Sequence, residues 1–431
     1  MTTYDIADYR ITEHTVAVPV DWQAPDRFGS IDIFVREVVK LSKVDADLPP
    51  LIFLQGGPGG ESPRPPHNTW IETATEHYRV LLLDQRGTGR STPITGRFVD
   101  AYVESHGGGV SGTKAAADYL ACFRADAIAD DVAHLNAVLN DGVPWTTLGQ
   151  SFGGFITLAL LSRHPETVKM AMTTGGIPAI DRSADTLYED LIPLQTARHD
   201  EFRTRFPADQ ALFEDLAGRA DAGELVTLAG DALSARRLQM LGWDFGMSTG
   251  VDNLHWLLDT AVEPDGRVAQ RFIESAASKT EYVSDPLYLT LQEGCYHQGH
   301  RDGGWGAWST VQNHPEYAST ARPLLTFGEF AQPWMFTEIR SMRPFAGVAE
   351  ELAGERTWPQ LWDAERLAAN DVPLAAAQYT HDPYVGLAGA QRTLAVLGNS
   401  QLWATDEYLH DGLRVHGDKV LPELMRMLGV L

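Results

Sequence analysis

The chain has 431 residues, of which 58 are acidic and 34 basic, for a formal net charge of −24. A surface this acidic repels phosphate, which argues against a sequence-tolerant nucleic-acid binder and against a binder of anionic membranes. With 44% apolar and 21% charged residues, the composition is that of a globular protein of one or two domains and not of a disordered chain.

Cys122 and Cys295 are the two cysteines, far apart in sequence, so neither a disulfide framework nor a Cys-rich zinc module is expected and a reducing cytoplasm fits best. The N-terminal stretch lacks a basic run followed by an apolar one, and no segment approaches the about 20 apolar residues that span a bilayer, so neither export nor a membrane partner is expected. There is no internal repeat. The short tracts Gly107–Gly109 and Pro63–Pro66 read as loop.

In chain order, Thr15–Val20 and Ser30–Val39 carry β-branched residues in rough alternation, as expected of an antiparallel pair at a sheet edge. Leu51–Leu54 and Val80–Leu83 are short continuous apolar runs, each followed by a glycine-bearing loop, the pattern of strands buried on both faces. The spacing of Ile128, Val132, Leu135 and Leu139 predicts one helix over Lys114–Asn140, ended by Gly142 and Pro144. A strand at Trp145–Leu148, a helix at Phe152–Arg163 and a strand at Val168–Thr174 complete a βαβαβ order and hence a mostly parallel sheet. From about Ile180 to Arg366 the alternation gives way to helix-like, tryptophan-rich sequence that reads as an insertion. It resumes with a strand at Val372–Tyr379, a helix in Gly386–Leu397, a strand at Gln401–Ala404 and a last helix in Asp418–Leu428.

Gly149-Gln-Ser-Phe-Gly153 matches Gly-x-Ser-x-Gly between a predicted strand and a predicted helix, where the motif makes a sharp turn that presents Ser151. A serine hydroxyl is a poor nucleophile near neutral pH and needs a histidine to take its proton and a carboxylate to orient the imidazole. In this arrangement the order is Ser, Asp, His. Asp382 follows the strand Val372–Tyr379 and His410 follows the strand Gln401–Ala404, about one strand–helix–strand step apart, which places both at the edge that carries Ser151. The competitors are weaker. His416 opens the last helix, Asp371 precedes its strand, Asp406 is too close in chain to reach the far ring nitrogen, and Asp411 reads as a solvated neighbour. The amides of Phe152, at the helix N-terminus, and of Gly57, in the cluster Gly56–Gly60, are the expected donors to an oxyanion. That cluster lacks the lysine and hydroxyl of a phosphate loop. Cys295, His297 and His300 have the spacing of metal ligands, but no second ligand cluster accompanies them and no metal is expected.

The segments at 56–60 (Gly-Gly-Pro-Gly-Gly), 84–91 (Asp-Gln-Arg-Gly-Thr-Gly-Arg-Ser) and 149–154 (Gly-Gln-Ser-Phe-Gly-Gly) resemble those of the proline iminopeptidases. Asp382-Pro-Tyr-Val and Glu407-Tyr-Leu-His-Asp-Gly-Leu-Arg414 are similar to that family's acid and histidine segments. The resemblance implies an α/β-hydrolase fold: a mostly parallel sheet with helices on both faces, formed by residues 1–179 and 367–431, and a mainly helical inserted cap over 180–366. It implies a serine peptidase without a cofactor that removes N-terminal proline from small peptides. Acidic cap residues would bind the free amine, which nominates Glu293 in Gln292-Glu-Gly-Cys-Tyr296 and Glu329 in Gly328-Glu-Phe-Ala-Gln-Pro-Trp-Met-Phe336. Tyr296, Trp305 and Trp334 remain alternatives for the proline-ring pocket. Gln55 departs from the histidine that many relatives carry, a change expected to affect loop anchoring. Another hydrolase of this fold (an esterase, amidase or tripeptide-releasing peptidase) and a non-catalytic binding protein stay open as alternatives.

Overall fold

A computed structural model describes residues 1–65 and 69–431 of the chain. The main sheet is built from β1 (Thr2–Ile6), β2 (Tyr9–Pro19), β3 (Ser30–Lys40), β4 (Pro50–Leu54), β5 (Arg79–Asp84), β6 (Trp145–Gln150), β7 (Val168–Thr174), β10 (Leu374–Tyr379) and β11 (Ser400–Thr405). A separate two-stranded ribbon joins β8 (Gly299–Arg301) to β9 (Arg356–Trp358). In the main sheet the strands stand in the order β1-β2-β3-β5-β4-β6-β7-β10-β11. From β5 to β11 every pairing is parallel, and β1, β2 and β3 continue one edge in antiparallel register.

The continuous apolar runs are explained by burial on both faces. Along β4 and β5, Ile52, Leu54, Leu81 and Leu83 enter one core, while Leu51, Phe53, Val80 and Leu82 enter the other. The strand period of two therefore puts apolar groups on either side of the sheet. Helices Gly109–Leu120, Ala125–Leu139 and Phe152–Arg163 cover the first face, and helices Thr69–Ala74 and Gly417–Met427 the second.

Three expectations need correction. The strand β1 lies outside the predicted edge pair; it is exposed along its whole length and carries no burial pattern to betray it. Helix Lys114–Asn140 is two helices, broken at residues 121–124. There the Cys122 carbonyl accepts from Arg86 Nη1 at 2.6 Å, and buried Arg124 donates to the carbonyls of Gly294 and Pro359, each at 2.9 Å. Satisfying two buried guanidinium groups outweighs an uninterrupted helical period. Gly109 begins a helix, so only Gly107 and Gly108 of that tract lie in the connection. Pro66, in the other predicted loop tract, lies outside the described residues.

Between β7 and β10 the chain is mainly helical, and it buries a core of its own that includes Phe202, Phe213, Leu216, Phe245, Leu254 and Phe272. Among the described residues no helix is long and apolar enough to cross a membrane.

Candidate active site

The turn from β6 into helix Phe152–Arg163 is tight enough to force Ser151 to φ 54°, left-handed backbone that a residue with a Cβ adopts only when its surroundings impose it. Two contacts impose it here. The Ser151 N–H donates to the Thr174 carbonyl at 3.0 Å, and Gly153 packs so closely on β4 that a Cβ there would stand 1.9 Å from the Leu54 carbonyl oxygen. The side chain of Ser151 is thereby raised at the C-terminal edge of the parallel strands, 7% exposed.

Asp382 and His410 follow β10 and β11 to the same edge. His410 Nδ1 and Asp382 Oδ2 are 2.7 Å apart, and the other carboxylate oxygen accepts from the N–H groups of Tyr384 at 2.9 Å and Val385 at 3.2 Å. Gly175, next in chain after the Thr174 that holds the serine backbone, lies against both: a Cβ there would be 3.2 Å from His410 Nδ1 and 3.3 Å from Asp382 Oδ2. Burial disfavours the charged imidazole, but the charge and hydrogen bond of Asp382, helped by the charge of Glu329, outweigh it and hold the His410 pKa above its ordinary value. Among the described residues no hydrogen bond joins the Ser151 hydroxyl to His410, whose Nδ1 is held by Asp382.

The glycine cluster lies beside Ser151, close enough that a Cβ on Gly56 would be 2.9 Å from Ser151 Cβ. Gly57 adopts φ 118°, open to glycine alone. The Phe152 N–H is one of the first-turn donors that a helix leaves without an intrahelical acceptor. The loop is anchored by Gln85, whose Nε2 donates to the Gln55 carbonyl at 2.6 Å. The neighbouring Asp84 takes the backbone N–H groups of Ser62 and Arg90, each at 3.0 Å. The segment 84–91 thus serves as a brace for the loop.

The two glutamates have different surroundings. Glu329, half-buried, accepts from the Tyr288 hydroxyl and from Gln292 Nε2, the latter at 3.3 Å. Burial raises its pKa, and the His410 charge opposes that rise, which places the carboxylate in the field of the histidine. Glu293 instead receives the N–H groups of Gly306 at 3.1 Å and Ala307 at 2.9 Å, at the start of helix Gly306–Asn313. Burial pushes its pKa up to about 7 despite those two donors. Of the three aromatic alternatives, Tyr296 meets Phe155 edge-on at 5.2 Å and lines a cavity of about 360 Å³ with Leu187, Leu191 and Tyr384. Trp305 packs on Phe336, and Trp334 lies under the Arg236 guanidinium.

Asp411 corrects an expectation. It is 6% exposed, and its Oδ1 accepts from both the N–H of Ser248 at 3.0 Å and the Ser248 hydroxyl at 2.6 Å. Tyr288, Ser248, Tyr384 and Gln85 were not singled out from the sequence. Two of them had a local signal, Tyr384 standing two positions after Asp382 and Gln85 lying inside the segment 84–91. The Cys295, His297 and His300 side chains do not converge: Cys295 and His297 are buried, whereas His300 is exposed beside Asp302 at 3.2 Å.

The family model described as the alpha/beta hydrolase fold matches residues 49–413. A proline iminopeptidase of Aeromonas sobria is 36% identical over 416 residues, covering 96% of this chain and 95% of the relative. A proline iminopeptidase of Aspergillus aculeatus is 28% identical, covering 97% of this chain and 93% of that one. Among solved structures, VinJ matches at 12% identity with a TM-score of 0.43, covering 97% of this chain and 99% of that chain, which is too loose to carry an argument. On the near full-length match at 36% identity, the chain belongs to the proline iminopeptidase family of α/β hydrolases.

Proposed function

We propose that the protein is a serine aminopeptidase that releases N-terminal proline from small peptides through an acyl-enzyme. The observation that carries this reading is the Asp382–His410 pair, held at the sheet edge that presents Ser151, in a chain whose relatives of the same length are proline iminopeptidases.

Ser151 attacks the carbonyl of the first residue as His410 Nε2 takes its proton. Asp382, bonded to Nδ1, keeps the ring in the tautomer that leaves Nε2 free and stabilises the imidazolium that forms. The N–H groups of Phe152 and Gly57 receive the negative charge of the tetrahedral intermediate. His410 then protonates the departing amine. In the second half it takes a proton from water, whose oxygen attacks the serine ester, and returns that proton to Ser151 Oγ as the ester bond breaks and proline leaves. The serine–histidine hydrogen bond forms in the complex, since such bonds are often long or misaligned without substrate.

Glu329 is the partner of the substrate ammonium: it is half-buried, in the field of His410, and its neighbours Tyr288 and Gln292 orient it. Glu293, with both oxygens on backbone amides, holds the start of helix Gly306–Asn313. Residues 180–366 act as a cap on a core formed by 1–179 and 367–431, and limit the enzyme to short peptides. The two cysteines are unpaired, which suits the cytoplasm.

The test is a panel of chromogenic amides with Ser151→Ala alongside. The wild-type chain should hydrolyse the prolyl amide and fail on its N-acylated form, and Ser151→Ala should lose turnover with an unchanged fold. Equal turnover of the free and acylated amides, or activity in the variant, would refute the reading.

A further inference from the structure

The base of the relay is held partly by the helical segment. The His410 backbone N–H donates to the Gly246 carbonyl at 3.0 Å, so the histidine's own main chain is tied to the 3-10 turn Met240–Gly246. The acid loop reaches the same turn. Tyr384, two residues beyond Asp382, donates its hydroxyl to the Trp243 carbonyl and accepts the Gly246 N–H at 2.9 Å. Its ring stands edge-on to the imidazole, 4.9 Å between centroids at 81°. On the other side of His410, Asp411 takes both donors of Ser248. These groups are buried, with Tyr384 at 2%, His410 at 3% and Asp411 at 6% exposure, so water does not readily replace the bonds. The approach is close: a Cβ on Gly246 would stand 2.0 Å from Tyr384 Cε2. The turn is in turn fixed to the rest of the helical segment, because Arg198 Nε, on helix Ala184–Arg205, donates to the Phe245 carbonyl at 2.7 Å, and Phe245 lies in that segment's core.

We propose that the turn Met240–Gly246, with Ser248, is a positioning element for His410, and that Tyr384 and Asp411 are the positioning residues that fasten it to the acid and base loops. The cap therefore sets the aim of the imidazole besides covering the site. A shift of the turn moves the main chain of the histidine, the edge contact on its ring and the loop that carries Asp382 together. Misplacement of a catalytic group by about 1 Å is enough to cost on the order of a hundredfold in rate.

The inference rests on the reading of His410 as the base, so the experiment includes His410→Ala. Turnover of the prolyl amide, its pH profile, and the rate of Ser151 labelling by a fluorophosphonate are measured for Tyr384→Phe, Asp411→Ala and Asp411→Asn in the full chain, with thermal melting as the folding control. Tyr384→Phe keeps the ring and loses the bridge between Trp243 and Gly246. Asp411→Asn keeps an acceptor oxygen for Ser248. The expected result is a fall in kcat of about tenfold or more for Tyr384→Phe and Asp411→Ala, with KM little changed. Labelling should slow in parallel, the acid limb should move down toward the ordinary imidazole value, and most of the rate should return in Asp411→Asn. Should Asp411→Ala fail to fold, Ser248→Ala, which leaves the backbone donor in place, should show a smaller loss in the same direction. Wild-type kcat, labelling and acid limb in Tyr384→Phe would overturn the inference, as would a loss in Asp411→Ala that Asp411→Asn fails to restore. If instead His410→Ala keeps its turnover, the proposed function itself falls.

Discussion

Asp382 and His410 stand 2.7 Å apart although they arrive on different strands, and the carboxylate is fully buried with its second oxygen on two backbone N–H groups. With Oδ1 occupied by those two donors, Oδ2 is left to accept the imidazole Nδ1–H. Replacing the carboxylate by an amide offers a donor where an acceptor is needed and favours the wrong tautomer. Asp382→Asn should lower kcat by about four orders of magnitude with little change in KM, read by steady-state kinetics on a prolyl amide. A loss below tenfold would contradict the assigned role.

The pH dependence follows from the raised pKa of His410. Burial opposes protonation, the charges of Asp382 and Glu329 favour it and win, and the Arg414 charge opposes it. A general base must be neutral, so activity disappears as pH falls through the raised value, and the acid limb of kcat/KM should lie above the ordinary imidazole pKa of about 6.5. In stability the sign is opposite: the pair's contribution is full below the unfolded pKa and fades as pH rises through the folded one. Glu329→Gln removes a charge that favours the imidazolium and should move the acid limb down. A limb that stays in place would remove Glu329 from the field of the base.

The two glutamates should separate by substrate. Glu329→Gln should cut kcat/KM for the prolyl amide by about ten- to a hundredfold, the range of a hydrogen bond to a charged group, while sparing a neutral ester. Glu293→Gln puts an amide NH₂ against the Gly306 or Ala307 N–H and should lower stability by about 1–3 kcal/mol, seen in thermal melting, with equal effects on both substrates. Equal amide and ester losses for Glu329→Gln would count against the ammonium site.

Arg86 and Asp131 form a fully buried ion pair at 2.6 Å, and Arg86 also holds the Cys122 carbonyl at the break between two helices. Removing one partner leaves the other charge buried and alone. Arg86→Ala should destabilise the protein by about 3–5 kcal/mol in denaturant unfolding. A change below 1 kcal/mol would mean that water replaces the guanidinium.

Local pattern carried most of the sheet. The apolar runs at Leu51–Leu54 and Val80–Leu83 are legible because a strand buried on both faces has no polar alternation, and the start of helix Phe152–Arg163 follows from the elbow before it. Pattern failed where a remote partner decided the outcome. The break at residues 121–124 answers to Arg86 and Arg124, and Asp411 is buried because Ser248, in the helical segment, reaches it.

What the amino-acid order showed by itself was the Gly-x-Ser-x-Gly pattern around Ser151, the strand and helix order that implies a parallel sheet, and the chain positions of Asp382 and His410, because each is read from residue type and spacing along the chain. Tertiary structure alone decided that Asp382 meets His410 with both oxygens engaged, that Glu329 and Glu293 face different partners, and that one turn of the helical segment grips the loops of both Asp382 and His410. The reason is physical: a buried polar group must find a partner, and which one it finds depends on what the fold brings alongside it.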